Sequence, residues 1–321
     1  MKTLAAFLCL LNIAFAADEV KLKATVPLPG VKGRFDHFAV DTNAHRLFIA
    51  ALGNNTLEII DGAAAKRLHT ITGLHKPTGV AFLPGANQIV VANGDDGTVK
   101  VFDGTNYKLV KNISGLDDAD NVRIDTKANR IYVGYGDGAL TAIDAQKWEQ
   151  VSTIKLKAHP ESFQLEQNGN RIFVNVPDAK HIAVLDRERR NVIATWPMEK
   201  FRANFPMAFD ETNHRLFVGC RQPARTVVID TETGKPIADF AISGDTDDLF
   251  WDVARKRIYV SCGEGFLDVF SNDRGTFTRI GQLATRGGAR TSYFAPQFSQ
   301  LYVAVPERGG ASAELRIFTT E

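Results

Sequence analysis

Arg130-Ile131-Tyr132-Val133-Gly134, closed nine residues later by Ile143-Asp144, is the stretch that decides the fold. A basic or amide residue is followed by Leu or Ile, an aromatic or Val, Val or Ile, and a small residue. The same order occurs at Arg46–Ala50, Gln88–Ala92, Arg171–Asn175, Arg215–Gly219, Arg257–Ser261 and Gln300–Ala304. The intervals between starting residues are 42, 42, 41, 44, 42 and 43. A fixed period of this size marks a repeat architecture.

Working outward from the motif, an acid often precedes it by five residues: Asp41, Asp125, Glu166, Asp210 and Asp252. About ten residues after it comes an apolar run ending in Asp, as in Leu57-Glu58-Ile59-Ile60-Asp61, Val99–Asp103 and Val227–Asp230; Asp144 and Asp186 close two more. A turn and another apolar run follow. Each unit therefore reads as four short strands, with no helical period. A four-stranded unit of this length is a propeller blade, and blades must stack because neither sheet face can bury itself alone. Seven blades use nearly all of the chain after position 16. The expected fold is all-β, one seven-bladed propeller over 17–321. The seventh copy ends with its third strand at Leu315–Phe318, so the run Val20–Val26 is expected to supply its fourth and close the ring.

These units resemble the YVTN-type β-propeller repeat family, whose pattern is aromatic-Val-small, a turn, and an apolar strand ending in Asp. Ile131–Gly134 through Asp144 and Leu216–Gly219 through Asp230 carry the resemblance best. No copy has Tyr-Val-Thr-Asn itself, so the chain reads as a divergent member. The resemblance implies a seven-bladed ring and an exported bacterial protein, and no single chemistry, because propellers host many functions.

The N-terminus agrees with export. Met1-Lys2 is basic, Thr3–Phe15 is nearly all apolar, and Ala14-Phe15-Ala16 fits a small-x-small cleavage site, so 1–16 reads as a signal peptide and a periplasmic or secreted location follows. That run is too short to span a bilayer, and no later run is longer. Only Cys220 and Cys262 follow the cleavage site. They occupy equivalent positions in adjacent repeats and are expected to remain unbridged. Lys plus Arg is 38 and Asp plus Glu is 37, so the basic footprint of a nucleic-acid binder is missing. The chain is expected to be monomeric.

Standard catalytic and metal motifs are missing. The candidate chemistry comes from the ring. Inner strands of all blades begin at one mouth of the channel, so equivalent residues converge there. Ten residues before each motif stand Asp36, Thr78, Asp120, Glu161, Phe205, Asp247 and Arg290. Nine before stand His37, Asn121 and Asp248 among others; twelve before, Arg34, Lys76, Asp118 and His159. The inserted segment Glu199–Asn204 and the insertion Pro306–Ala313 should lie at the same mouth, which adds Asn204. The sequence therefore nominates Arg34, Asp36, His37, Lys76, Asp120, Asn121, His159, Glu161, Asn204, Asp247, Asp248 and Arg290 as a ligand-binding mouth. Asp36, Asp120, Glu161 and Asp247 are the candidate ligands for a divalent metal, which His37 or His159 would bias toward transition ions. Three readings stay open: a site for a small polar ligand or another exported protein; a metal-assisted lyase or lactonase with a His as general base; and a scaffold whose channel is merely wet.

Overall fold

The computed structural model describes residues 20–321; the expected signal peptide and its cleavage site lie outside the described residues. Among the described residues twenty-eight strands form seven four-stranded antiparallel sheets, and the helical content is two 3₁₀ turns, Leu52–Asn54 and Pro296–Phe298. Blade 1 shows the pattern: β2 (Phe38–Asp41), β3 (Arg46–Ala51), β4 (Thr56–Asp61) and β5 (Lys66–Ile71), from channel to rim. β6–β9 (77–113), β10–β13 (122–155), β14–β17 (163–197), β18–β21 (202–241) and β22–β25 (246–284) repeat it.

Blade 7 contains β26 (Thr291–Ala295), β27 (Gln300–Val305) and β28 (Glu314–Thr319), and its outer strand is β1 (Lys21–Pro27). The register runs from Lys21 opposite Thr319 to Pro27 opposite Glu314. The expected closure is thus observed.

The motif strand explains why blades stack. In β3, Leu47 and Ile49 pack with blade 7 residues such as Tyr302 and Leu315, whereas Phe48 and Ala50 pack with Val80, Phe82 and Val91 of blade 2. Successive side chains of a strand point to opposite faces, so one five-residue motif serves two interfaces. Blade 3 does the same: Ile131 and Val133 join blade 2, and Tyr132 joins blade 4. Cys220 and Cys262 are separate buried thiols.

The repeated acids build turns. Asp61 Oδ1 accepts the N–H groups of Ala63 and Ala64 at 3.0 and 2.8 Å, and Asp103, Asp144, Asp186 and Asp230 do the same two and three residues on. At the first hairpin, Asp252 Oδ1 accepts from the N–H groups of Ala254 and Arg255, and its Oδ2 accepts from the Tyr259 hydroxyl at 3.0 Å. Side-chain acceptors of this kind replace backbone partners in tight turns.

Each outer strand carries one bulge, at Lys23, Leu68, Val110, Val151, Ile193, Ile237 and Ile280. A bulge breaks the regular row of backbone groups that an exposed edge would otherwise offer to another strand.

Candidate functional site

The inner strand of every blade starts at the mouth, where the loop from the previous blade meets the turn between the second and third strands. Gly53 N–H donates to Arg34 O, Gly94 N–H to Lys76 O and Gly263 N–H to Asp245 O, so the two kinds of loop are tied together blade after blade. The insertion Pro306–Ala313 sits here too, held by Arg286 through the carbonyls of Pro306 and Ser312 at 2.9 Å each. Inside this rim is a cavity of about 130 Å³ lined by Arg34, Asp36, His37, Asp120, Asn121, Glu161, Ser162, Phe205, Arg221, Asp247 and Arg290.

Asp120 is at its centre. Its carboxylate belongs to two groups whose ligating atoms all lie within 4.8 Å of one another: Asp36, His37 and Asp120; and Asp120, His159 and Glu161. His37 Nε2 is 3.6 Å from Asp36 and 3.9 Å from Asp120, and His159 Nε2 is 3.5 Å from Asp120. His159 Nδ1 lies 2.7 Å from Gly136 O, so that nitrogen donates and Nε2 is the one turned to Asp120. A backbone acceptor that orients an imidazole in this way is the usual support of a metal-binding histidine.

The charges are not balanced inside the group. Burial, then repulsion from Asp120, raises Asp36 to about 7, against the pull of Arg34 at 3.1 Å. Burial and the neighbouring Asp120 and Asp247 push Glu161 well above the carboxylate range. Burial also pushes Asp120 upward, but the hydrogen bond from His159 and the fields of His37, His159 and Arg34 outweigh it and hold Asp120 below its ordinary value. Burial pulls His159 down, and its bonds to Asp120 and Gly136 win, raising it to about 9. His37 goes the other way: burial favours its neutral ring. Asp120 Oδ1 has no hydrogen-bond partner among the described residues, and neither polar atom of the Asn121 side chain has one although Asn121 is only 1% exposed. Buried polar atoms left this way point to a missing partner such as an ion or water.

The other nominated residues either take partners of their own at the mouth or stand elsewhere. Asp247 is not in either metal-type group: Arg221 holds its Oδ1 at 2.6 Å and Arg290 its Oδ2 at 3.1 Å. Asn204 does not reach the mouth. It is fully buried in the joint between blades 4 and 5, donating to Asn175 Oδ1 at 2.8 Å and to His181 O at 3.3 Å. Lys76 lies on the outer rim, paired with the half-exposed Asp118 at 3.0 Å. Asp248 sits deeper in the channel, below His37, and accepts the Ser292 N–H at 2.7 Å. Arg290 is at the mouth but spends its Nη1 on both oxygens of Asp245 at 2.8 Å.

Arg221 is the site residue that the repeat count missed. It comes from β19 (Arg215–Gln222), longer than its six-residue counterparts such as β3 and β11 (Arg130–Tyr135), and its guanidinium lies 3.9 Å from the Phe205 ring centroid.

No protein-family model matches the chain, and no curated protein matches it. Solved structures do. A chain in the crystal structure of the Mitotic Checkpoint Complex superposes with a TM-score of 0.79 over 99% of this chain and 98% of its own, at 14% identity. A chain of Kuenenia stuttgartiensis Hydrazine Synthase superposes with a TM-score of 0.75 over 87% of this chain and 96% of its own, also at 14% identity. At such identities the likeness is one of fold: this chain is a seven-bladed β-propeller, an architecture that hosts many unrelated functions.

Proposed function

We propose that this protein is an exported, monomeric binding protein of the YVTN type whose channel mouth takes up a divalent transition-metal cation. Asp36, His37, Asp120, His159 and Glu161 would hold the ion. The observation that carries this reading is Asp120: one carboxylate shared by two His-carboxylate groups, with an oxygen that has no partner. The donor set, two imidazoles among three carboxylates, suits Mn, Fe, Co, Ni or Zn better than the all-oxygen cage that Ca requires. A bound cation would neutralise the crowded carboxylates and supply a Lewis acid at the mouth. Arg221 and Arg290 keep Asp247 occupied and fix that side of the cavity, while Arg34 screens Asp36. The export reading rests on the apolar N-terminal segment and on the repeat resemblance. Among the described residues no helix is long and apolar enough to cross a membrane.

The test is metal analysis of the purified protein together with thermal unfolding in the presence and absence of a chelator. A ligand at a hundred times its Kd stabilises by about 2.7 kcal/mol, well within reach of such a scan. Stoichiometric metal, a melting point lowered by chelation, and loss of both in Asp120→Asn are expected. A metal-free protein whose melting point ignores added Mn, Ni and Zn would overturn the reading.

A further inference from the structure

Below the mouth the channel changes character. Three residues further along the inner strands than the acidic ring stand Arg123, Gln164, Phe250 and Tyr293, and the other three blades put alanines there: Ala39, Ala81 and Ala208. The alanines leave room. Two cavities, of about 290 and 200 Å³, share Arg123, Gln164, Asp248 and Phe250 as walls. The larger also has Val40, Phe82 and Ile124 on its sides, with His37, Ser292 and Tyr293 beside them.

Arg123 is the unusual member. Its Nη1 donates to Val122 O at 2.9 Å and its Nη2 to Ser162 Oγ at 3.4 Å. Among the described residues no carboxylate lies within 4.0 Å of it, whereas Arg34, Arg221 and Arg290 at the mouth each have one at 3.1 Å or less. A guanidinium has five N–H donors and stays charged in a protein; here two donors are used, the group lies 5.6 Å from the Phe163 ring centroid, and it lines both cavities. The one carboxyl on the same wall does not supply the anion. Asp248 is bonded instead to the Ser292 N–H at 2.7 Å, and none of its oxygens lies within 4.0 Å of the guanidinium.

We propose that the mid-channel cavity binds a small monocarboxylate with an apolar body, its carboxylate on Arg123 and its body against Phe82, Ile124 and Phe250. A planar carboxylate matches the guanidinium fork. The apolar walls favour a ligand with a hydrocarbon body over inorganic phosphate, which would leave them wet.

The experiment titrates metal-free, full-length protein with benzoate, benzyl alcohol and inorganic phosphate by calorimetry. Saturable one-to-one binding of benzoate is expected, at least about tenfold tighter than benzyl alcohol or phosphate, and weakened at least about tenfold by Arg123→Gln. Glu161→Gln at the mouth should leave benzoate binding in place, so this outcome stands apart from that of the metal reading. Ala81→Phe fills the cavity without touching the charge and should also abolish binding; it decides the matter if Arg123→Gln does not fold. No benzoate binding, equal binding of benzyl alcohol or phosphate, or full binding by Arg123→Gln or Ala81→Phe would each overturn the proposal.

Discussion

The propeller carries carboxylates at both ends of its blades, and the two ends use them in opposite ways. At the turn end the acids recur from blade to blade and are satisfied at home: Asp41 takes two backbone N–H groups and Arg46, and Asp252 takes two N–H groups and the Tyr259 hydroxyl. At the mouth Asp36, Asp120, Glu161 and Asp247 stand in four of seven blades, opposite Thr78, Phe205 and Arg290 in the others, and they crowd one another. The repeated acid is architecture, because every blade must make the same turn. The unrepeated acid is free of that demand, and its burial beside like charge costs stability that a bound ligand can return.

This contrast can be broken by substitutions at either end. The largest effect is expected from Asp252→Ala, which removes four accepted hydrogen bonds and strands the buried Tyr259 hydroxyl. Denaturant unfolding should show a loss of about 3 kcal/mol, with metal affinity unchanged. A loss of metal binding there would erase the distinction. Glu161→Gln should do the reverse. Metal affinity, read by titration, should fall about a hundredfold, while the metal-free protein unfolds at the same denaturant concentration or a higher one.

The pH dependence sharpens the contrast further. Asp36 titrates near 7 when folded and near 4 when unfolded, so the folded state retains a proton that the unfolded chain has released. Its contribution is complete below about pH 4 and is lost as pH rises through about 7. In chelator, wild type should lose about 3 kcal/mol relative to Asp36→Asn between pH 4.5 and 8; parallel curves would show that the mouth stores no such cost. The smallest effect belongs to a single exposed turn. Asp61→Ala gives up two backbone N–H bonds and should cost about 0.5–1 kcal/mol in the same assay, with no change in ligand binding.

The fold was legible because the chain states it seven times. Periodicity located the motif strands, the Asp-ended strands and the outer strand that β1 contributes. The site was legible only as a ring position. Counting back from the motif found Asp36, Asp120 and Glu161, since β-register carries each to the same height. It could not show that Asp247 meets two arginines, because one of them, Arg221, extends from a lengthened second strand that the count does not sample. Asn204 failed for a different reason. It belongs to an inserted segment with no counterpart, and hydrogen bonds to Asn175 and His181 draw it into the joint between blades. Arg123 and the alanines around it went unread because what matters at that level is volume left empty.

The pairing of β1 with β28 joins positions 298 residues apart, as in the Thr319 hydroxyl that reaches Lys21 O. Order of assembly follows from that single seam. β1 has no partner until β28 has been made, so the ring cannot lock before all seven blades exist. Closing so long a loop is entropically costly and slow, and its reward arrives all at once, when seven interfaces become mutually dependent. A molecule built this way opens as a unit or at the seam, and the β1–β28 pairing sets how long the closed form survives.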